Sequence, residues 1–176
     1  MVKKMIFNPL KMKASTLVYP LEDNLWDMEA MPHDNDGIVQ ESALHPTAVA
    51  QGGLMTTPEE LAMLTRELML AYHGRSEIII TQEMARQMFK PELDLDPRIF
   101  GTPLSQGLGV FLFRQGEEDW VFGYPGNNYP GSTCWLLGWP EKGVGLVIMT
   151  NGNRGEILPF EIMSTLTREY GVTDIN

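Results

Sequence analysis

The spacing of apolar residues changes along the chain and divides it into four stretches. Residues 1–57 show no regular apolar period and contain four prolines, which predicts a loop-rich lead-in. Residues 58–90 have apolar side chains at three- and four-residue spacing, the pattern of amphipathic helices. Short apolar or alternating runs over 107–150 predict antiparallel strands, and 156–170 return to helical spacing.

The helical stretch has clear terminal signals. Thr57 can cap the first helix, Pro58 suits its first position, and Glu60 can close a capping box. Gly74 is typical of a residue that ends a helix in the left-handed conformation. The apolar stripe between these signals consists of Leu61, Leu64, Leu68 and Tyr72.

A second, shorter helix is predicted after Thr81, and the segment 91–103 is predicted to be a loop bounded by prolines. The side chains of this helix expected to point inward are Met84, Met88 and Phe89.

Four strands are predicted in the second half of the chain, over 107–115, 119–124, 132–139 and 144–150. The last is nearly all apolar, which favours a central place in the sheet. The final helix is expected to face the sheet with Ile162, Met163, Leu166 and Tyr170. These elements predict one α+β domain over 1–176, an antiparallel meander of about four strands covered by a C-terminal helix, with a loop-rich helical region before it.

Charge and composition exclude several function classes. The chain has 176 residues and a formal net charge of −10, so it repels phosphate backbones, and nucleic-acid binding is disfavoured. One cysteine excludes an internal disulfide framework and a cysteine zinc cluster. No stretch approaches the roughly 18 apolar residues of a membrane-spanning helix, and the first residues do not read as a signal peptide. We therefore expect a cytoplasmic protein with no metal or cofactor.

No pairing of a nucleophile with a base is evident from the residues alone. None of the six serines is followed three residues later by lysine or lies in a Gly-x-Ser-x-Gly motif. Cys134 lies inside a predicted strand, where a small core residue is the better interpretation. Residues 34–37, Asp-Asn-Asp-Gly, fail the spacing of a calcium loop and are predicted to form a turn.

Glycine and proline are dense in residues 122–131, Phe-Gly-Tyr-Pro-Gly-Asn-Asn-Tyr-Pro-Gly. One interpretation is that this segment is a wide turn at the end of a strand and has no further role. Alternatively, glycine lets a ligand approach the strand backbone closely, with Asn127 and Asn128 as polar contacts. The residue pattern alone leaves both interpretations open.

Five passages of the chain resemble, in order, motifs of the serine β-lactamase-like family, which includes class C β-lactamases, penicillin-binding DD-peptidases and related esterases. The passages cover 6–16, 50–62, 107–111, 122–126 and 149–153. They resemble the family's Pro-Leu-Gly-Met, Gly-Gly-Leu-x-Ser/Thr-Thr-Pro, Gly-Leu-Gly-Phe, Phe-Gly-His-x-Gly and Thr-Asn motifs. The resemblance implies a partial β-lactamase/transpeptidase-like fold.

The family's third motif, Lys/His-x-Gly on a strand beside the active site, has its counterpart in residues 124–126, Tyr-Pro-Gly. The substrate-binding and oxyanion residues that the resemblance implies are Tyr124, Gly126, Asn127, Asn151 and Asn153. Among them, the backbone N–H of Asn127 would stabilise the oxyanion. Tyr124 departs from the family pattern, because a neutral phenol offers no cation to a substrate carboxylate. This departure favours an ester or peptide substrate over a lactam.

The family's Ser-x-x-Lys motif, its nucleophile and base, and its Tyr-x-Asn motif do not occur in this sequence. The resemblance therefore covers the C-terminal half of the family, with no catalytic residue in this chain. It implies part of a serine acyl hydrolase that is inactive alone and acts on a small acyl substrate once a complementary N-terminal half completes it. Full-length relatives could be exported. The alternative is a degenerate, non-catalytic module that binds a ligand or partner or forms a homo-oligomer.

Overall fold

The structure, a computed structural model, describes residues 1–41, 49–100, 103–114, 120–129 and 131–171. Its α-helices are α1 (Asn8–Leu10), α2 (Asp23–Trp26), α3 (Val49–Gly52), α4 (Pro58–Tyr72), α5 (Gln82–Met88), α6 (Pro97–Phe100) and α7 (Leu158–Tyr170). Its strands are β1 (Leu93–Leu95), β2 (Leu104–Gln106), β3 (Phe111–Arg114), β4 (Trp120–Asn128), β5 (Ser132–Trp139) and β6 (Val144–Thr150). A π-helical turn covers Lys3–Phe7, and 3-10 turns cover Pro140–Lys142 and Asn153–Glu156. None of the helices in these ranges is long and apolar enough to cross a membrane.

The six strands form one antiparallel sheet in which each strand pairs with the next along the chain. The α+β class and the meander predicted from the sequence are confirmed. The sheet has two strands more than the four expected, because β1 and β2 pair across the segment in which a loop is predicted. Each has only three residues, too few to show a period, and the Ser105 hydroxyl donates to Asp94 Oδ1 at 2.6 Å between them.

Helix α4 begins where the sequence predicts. The Thr57 hydroxyl accepts a hydrogen bond from the backbone N–H of Glu60 at 3.2 Å, and Pro58 occupies the first turn. The Glu60 carboxylate is engaged elsewhere than in a capping box: it accepts from the Ala14 N–H at 2.9 Å and the Ser15 hydroxyl at 2.6 Å. A residue predicted to serve a local cap therefore holds the lead-in against α4.

The core lies on both faces of the sheet. The face toward α4 and α5 holds the buried residues Leu68, Met69, Phe89, Val110, Leu112 and Phe122. The face toward α7 holds Leu104, Phe113, Val121, Leu137, Trp139, Ile148 and Met163. Burying each large apolar side chain contributes about 1.5–3 kcal/mol, so these two layers are the main source of stability.

Two of the predicted inward positions are wrong. Met84 is 55% exposed, and Ala85 is the fully buried residue of α5. Tyr170 is 69% exposed at the end of α7, while Met163 of the same helix is buried against the sheet. In α7 the apolar period continues past the turns that touch the core, whereas in α5 Met84 lies beside the buried Ala85 in the same turn but points to another side of the helix. Periodicity therefore overestimates the buried face of both helices.

Strand β6 lies at one edge of the sheet within the described ranges, so its predicted central position is wrong. It pairs with β5 along its whole length. Both of its faces nevertheless contact helices, because Leu146 packs against the core beneath α7 and Gly145 lies close to Met69 of α4. Only Ile148 of the strand is buried, so the apolar run reflects packing against helices on both faces and not two neighbouring strands.

The predicted boundaries of three elements shift in the structure. Strand β4 continues to Asn128, four residues past its predicted end, so 122–128 are strand and not a wide turn. Strand β3 begins only at Phe111, because 107–110 form a turn in which the Gly107 N–H donates to the Val110 carbonyl at 2.9 Å. The predicted hairpin connection after β3, at 115–119, lies outside the described residues. Helix α7 starts at Leu158, two residues after the predicted position, because a 3-10 turn precedes it.

Candidate functional site

Strand β4 changes its environment halfway along its length. Phe122 and Gly123 pair with β3 on one side and with β5 on the other. From Tyr124 to Asn128 the strand pairs with β5 alone within the described residues. We call these five residues the outer half of β4. The edge opposite β5 therefore offers backbone that a ligand can approach.

Pro125 indicates which backbone groups face that edge. Proline has no N–H, and within sheets it is confined to positions where no neighbouring strand needs that donor. Backbone groups of a strand alternate between its two edges. The N–H of Asn127 therefore faces the same edge as the nitrogen of Pro125, away from β5, which is the orientation that a donor to an edge-bound ligand requires.

Packing does not require glycine at position 126. A Cβ built at Gly126 would lie 3.9 Å from the nearest atoms, which belong to Cys134, and this is an ordinary contact distance. A Cβ at Gly123 would lie 2.6 Å from the carbonyl oxygen of Leu136, a distance that side chains do not tolerate. Glycine at 123 thus serves the fold, whereas glycine at 126 leaves the surface of the outer half uncovered.

A cavity of about 710 Å³ lies between this end of the sheet and the lead-in. One wall consists of the outer half of β4, the first residues of β5 and the end of β6. The other wall includes Leu21, Leu25 and Met28 of the lead-in. Cavities of this size are typical of small-molecule sites. Glu29 is the one charged residue in the described lining.

Two contacts fasten the lead-in over the first part of this cavity. The side-chain amide of Asn128 donates to the carbonyl oxygen of Gly52 at 3.0 Å, which ties the end of β4 to the end of α3. Thr16 and Met55 exchange two backbone hydrogen bonds of 2.9 and 3.0 Å. The cavity wall is therefore built from segments that are distant in sequence.

The turn after β6 holds a second part of the lead-in. The Asn151 carbonyl accepts from the His33 N–H at 2.7 Å, and the Asn151 side-chain amide donates to the Met31 carbonyl at 3.0 Å. The Asn153 N–H donates to the His33 carbonyl at 2.9 Å. Gly131, at φ +78°, allows this approach, since a Cβ there would lie 2.6 Å from the His33 carbonyl oxygen.

The structure brings most of the sequence-predicted site residues together. Four of them line the cavity: Tyr124, Gly126, Asn127 and Asn151. Asn153 lies in the 3-10 turn outside the lining and uses its backbone N–H to hold the lead-in. The sequence does not predict that Glu29 belongs to the site, because the lead-in has no period or motif at that position.

Tyr124 stands beside the open edge of β4 with 51% of its surface exposed. Its ring stacks on that of Phe111, with centroids 5.2 Å apart and planes 19° from parallel. The site therefore carries a phenol stacked on Phe111 where the resembling motif has lysine or histidine.

Cys134 lies on β5 in the cavity lining. Burial raises the pKa of its thiol to about 11. The thiol is therefore protonated at neutral pH and is a poor nucleophile, because thiolate is the reactive form. Cys134 is half-buried and belongs to neither core layer, so it is not the small core residue that the sequence predicts.

The acidic segment 34–37 is a turn, as the sequence predicts. Asp34 Oδ1 accepts from the backbone N–H groups of Asp36 and Ile38 at 3.0 and 2.9 Å. Across the part of the chain that the structure describes, no three His, Cys, Asp or Glu side chains are grouped closely enough to hold a metal ion.

Solved structures with the same fold come from penicillin-binding and β-lactamase proteins. The octameric penicillin-binding protein homologue from Pyrococcus abyssi superposes with a TM-score of 0.73 and 21% identity, over 98% of this chain and 37% of its own. A class C beta-lactamase superposes with a TM-score of 0.65 and 14% identity, over 86% of this chain and 45% of its own. A beta-lactamase/D-alanine carboxypeptidase from Pseudomonas syringae superposes with a TM-score of 0.66 and 10% identity, over 86% and 48%.

The chain thus spans less than half the length of each of these solved chains. No curated protein sequence matches it. The family model described as Beta-lactamase matches residues 1–161, which is nearly the whole sequence. Because the family match and the fold agree, the chain belongs to the beta-lactamase family.

Proposed function

We propose that this chain supplies one wall of a serine acyl-hydrolase site, with the outer half of β4 as the strand along which the acyl group lies. The observation that carries the proposal is the open edge of that half-strand beside the cavity, with Gly126 uncovered and the Asn127 N–H directed away from β5. The nucleophile and base come from a segment with a Ser-x-x-Lys motif, which this sequence does not contain.

In this proposal the chain stabilises the negative charge that develops on the carbonyl oxygen during acyl transfer. The serine oxygen attacks the carbonyl carbon, its proton passes to the base, and the carbonyl oxygen becomes an oxyanion. The Asn127 N–H donates to that oxyanion. Loss of one such donor typically costs about 3 kcal/mol of transition-state stabilisation. Collapse of the intermediate expels the leaving group, and water then releases the acyl group by the same steps.

The site chemistry favours esters and peptides over lactams. A carboxylate beside the scissile bond needs a cation to hold it, and Tyr124 supplies a neutral phenol at the motif position. The described cavity lining contains no lysine, arginine or histidine. We therefore expect higher turnover of neutral p-nitrophenyl esters than of nitrocefin, whose carboxylate finds no partner.

Complementation tests the proposal. The chain is mixed with a purified N-terminal segment that carries Ser-x-x-Lys and is encoded by the same genome, and hydrolysis of p-nitrophenyl butyrate is followed. Activity is expected only in the mixture, and neither the chain alone nor a mixture with the serine replaced by alanine reacts with a fluorophosphonate probe. A folded, stable complex without hydrolysis, or labelling of the chain alone, overturns the proposal.

The second candidate is a non-catalytic module that assembles through β6. It is favoured by the full-length edge of β6, which has no partner within the described residues and presents unpaired backbone groups to another strand. The Pyrococcus abyssi homologue is described as octameric. Light scattering should give an oligomer of the chain by itself, and a monodisperse monomer overturns this candidate.

A further inference from the structure

The cavity beside the outer half of β4 has apolar side chains on both of its walls. Leu21, Leu25 and Met28 belong to the lead-in wall, and Leu136 and Met149 belong to the sheet wall. Of these five, only Leu21 is buried, and the other four keep part of their surface exposed. Apolar side chains that face an open cavity are exposed to solvent, which is unfavourable. The cavity therefore favours a ligand that covers them with apolar groups of its own.

Three of the lining residues are methionines, and they lie on separate parts of the cavity. Met28 belongs to the lead-in, Met55 precedes α4 and Met149 lies on β6. None of the three is buried, so each has surface that a ligand can contact. Methionine is unbranched and polarizable, and its side chain adjusts to apolar groups of different shape. A cavity lined in this way suits a flexible alkyl chain or an aryl ring.

The charge of the cavity disfavours an anionic ligand. Glu29 is the one charged residue in the described lining, and no lysine, arginine or histidine stands there to hold a ligand carboxylate. The Oε2 atom of Glu29 is itself buried away from the cavity surface. An acyl group that ends in a carboxylate would lose hydration in the cavity and gain no partner. The lining therefore selects an uncharged group.

The cavity is continuous with the strand edge along which the proposed substrate lies. Tyr124 and Gly126 belong both to the outer half of β4 and to the cavity lining. An acyl group whose carbonyl lies against this half-strand therefore extends into the cavity. The facing side chains of Leu21 and Leu25 offer no hydrogen bond to the amide groups of a peptide, so a hydrocarbon chain is the better occupant.

We propose that the cavity is an acyl-chain pocket that binds an uncharged aliphatic or aryl acyl group larger than a butanoyl group. Resting on the proposed function, this assigns the substrate class as a neutral ester whose carbonyl lies along the outer half of β4. Its acyl chain lies between the lead-in wall at Leu25 and the sheet wall at Met149.

Binding of simple esters to the full chain alone tests the proposal. Methyl octanoate, methyl butanoate and monomethyl suberate are titrated by calorimetry at pH 7. Monomethyl suberate has the chain length of methyl octanoate but ends in a carboxylate. Each methylene that the pocket buries adds about fourfold to the affinity. Methyl octanoate is therefore expected to bind at least about tenfold more tightly than either of the other two esters.

Two pairs of variants separate the lining from the rest of the surface. Leu25→Gln and Met28→Gln place a polar amide in the pocket and should lower the affinity for methyl octanoate about tenfold and about threefold. The matched controls Leu93→Gln and Met84→Gln make the same exchanges at exposed residues outside the lining and should leave the affinity unchanged.

Methionine methyl groups locate the bound ester. In protein labelled with ¹³C at these methyl groups, methyl octanoate should shift the NMR signals of Met28, Met55 and Met149. The signals of Met84 on α5 and Met163 beneath α7 should stay in place, because neither residue lines the pocket.

Several outcomes overturn the proposal: no measurable binding of methyl octanoate, binding of either other ester as tightly as methyl octanoate, or shifts confined to methionines outside the lining. An unchanged affinity in folded Leu25→Gln and Met28→Gln also overturns it. If Leu25→Gln does not fold, Met28→Gln, which alters an exposed residue, and the three esters on the wild type decide.

The outcome is separable from that of complementation. Selective binding of methyl octanoate by a chain that gives no hydrolysis in the mixture contradicts the proposed enzyme and supports the acyl-chain pocket. Hydrolysis in the mixture without selective binding of methyl octanoate supports the enzyme and overturns the acyl-chain pocket.

Discussion

The two halves of β4 use one strand for two purposes. In the inner half, Phe122 is fully buried, stacks on Phe89 at 4.4 Å and pairs with strands on both sides. In the outer half, Tyr124 is half exposed and the strand pairs with β5 alone among the described residues. The inner half is thus committed to the core, whereas the second edge of the outer half pairs with no described strand.

This difference predicts where substitutions lower the stability of the protein and where they do not. A strand that is packed on both faces and paired at both edges has no direction in which to relax. A strand with one open edge can move or accept extra atoms at little cost. Stability should therefore depend on the inner half, and ligand binding on the outer half.

Truncating one aromatic side chain in each half of β4 should give the largest difference in the free energy of unfolding. Phe122→Ala leaves a cavity between β4 and α5 and should lower the free energy of unfolding by about 3–5 kcal/mol. Tyr124→Ala removes a half-exposed ring that contacts Phe111 and should cost about 1 kcal/mol or less. Urea unfolding of both variants measures the contrast, and similar losses would contradict the division of the strand.

Adding one methyl group in each half sharpens the comparison. Gly123→Ala forces a Cβ to within 2.6 Å of the Leu136 carbonyl oxygen and should destabilise the protein by about 1–3 kcal/mol. Gly126→Ala meets only ordinary contacts with Cys134 and should change stability by about 0.5 kcal/mol at most. Thermal unfolding compares the two, and an unstable Gly126→Ala would show that position 126 also serves the fold.

The third test asks whether water reaches the sheet at the outer half of β4, where Cys134 pairs with Gly126. The pKa of the Cys134 thiol is raised to about 11 by burial. Between about pH 9 and pH 11 the native state therefore holds a proton that the unfolded state has released, so stability falls as the pH rises. The loss should reach about 2 kcal/mol near pH 11.

Cys134→Ala provides the control for this pH dependence. The difference in unfolding free energy between wild type and variant should be constant below about pH 8 and should shift in favour of the variant toward pH 11. A difference that stays constant up to pH 11 would show that water reaches the thiol from the cavity.

Local sequence signals predicted much of the fold, and the reason is that they act over one or two turns. The cap of α4 at Thr57 and the bounds of β5 and β6 agree with the residue pattern, because capping and alternation depend on near neighbours. Strands β1 and β2 escaped prediction because three residues carry no period. The edge position of β6 escaped it because an apolar strand signals covered faces, and its number of neighbours depends on the whole sheet.

The candidate site divides in the same way. The sequence by itself determined the resemblance of Tyr-Pro-Gly to the family's third motif, because that resemblance depends on consecutive residues. The residue pattern left a wide turn and a strand edge both open for 122–131, and only the structure decided that β4 continues to Asn128. Only the tertiary structure decided that Asn151 would hold Met31 of the lead-in and that Glu29 would line the same cavity as Tyr124. Those contacts join residues that no local period relates, because they form only when the lead-in closes over the end of the sheet.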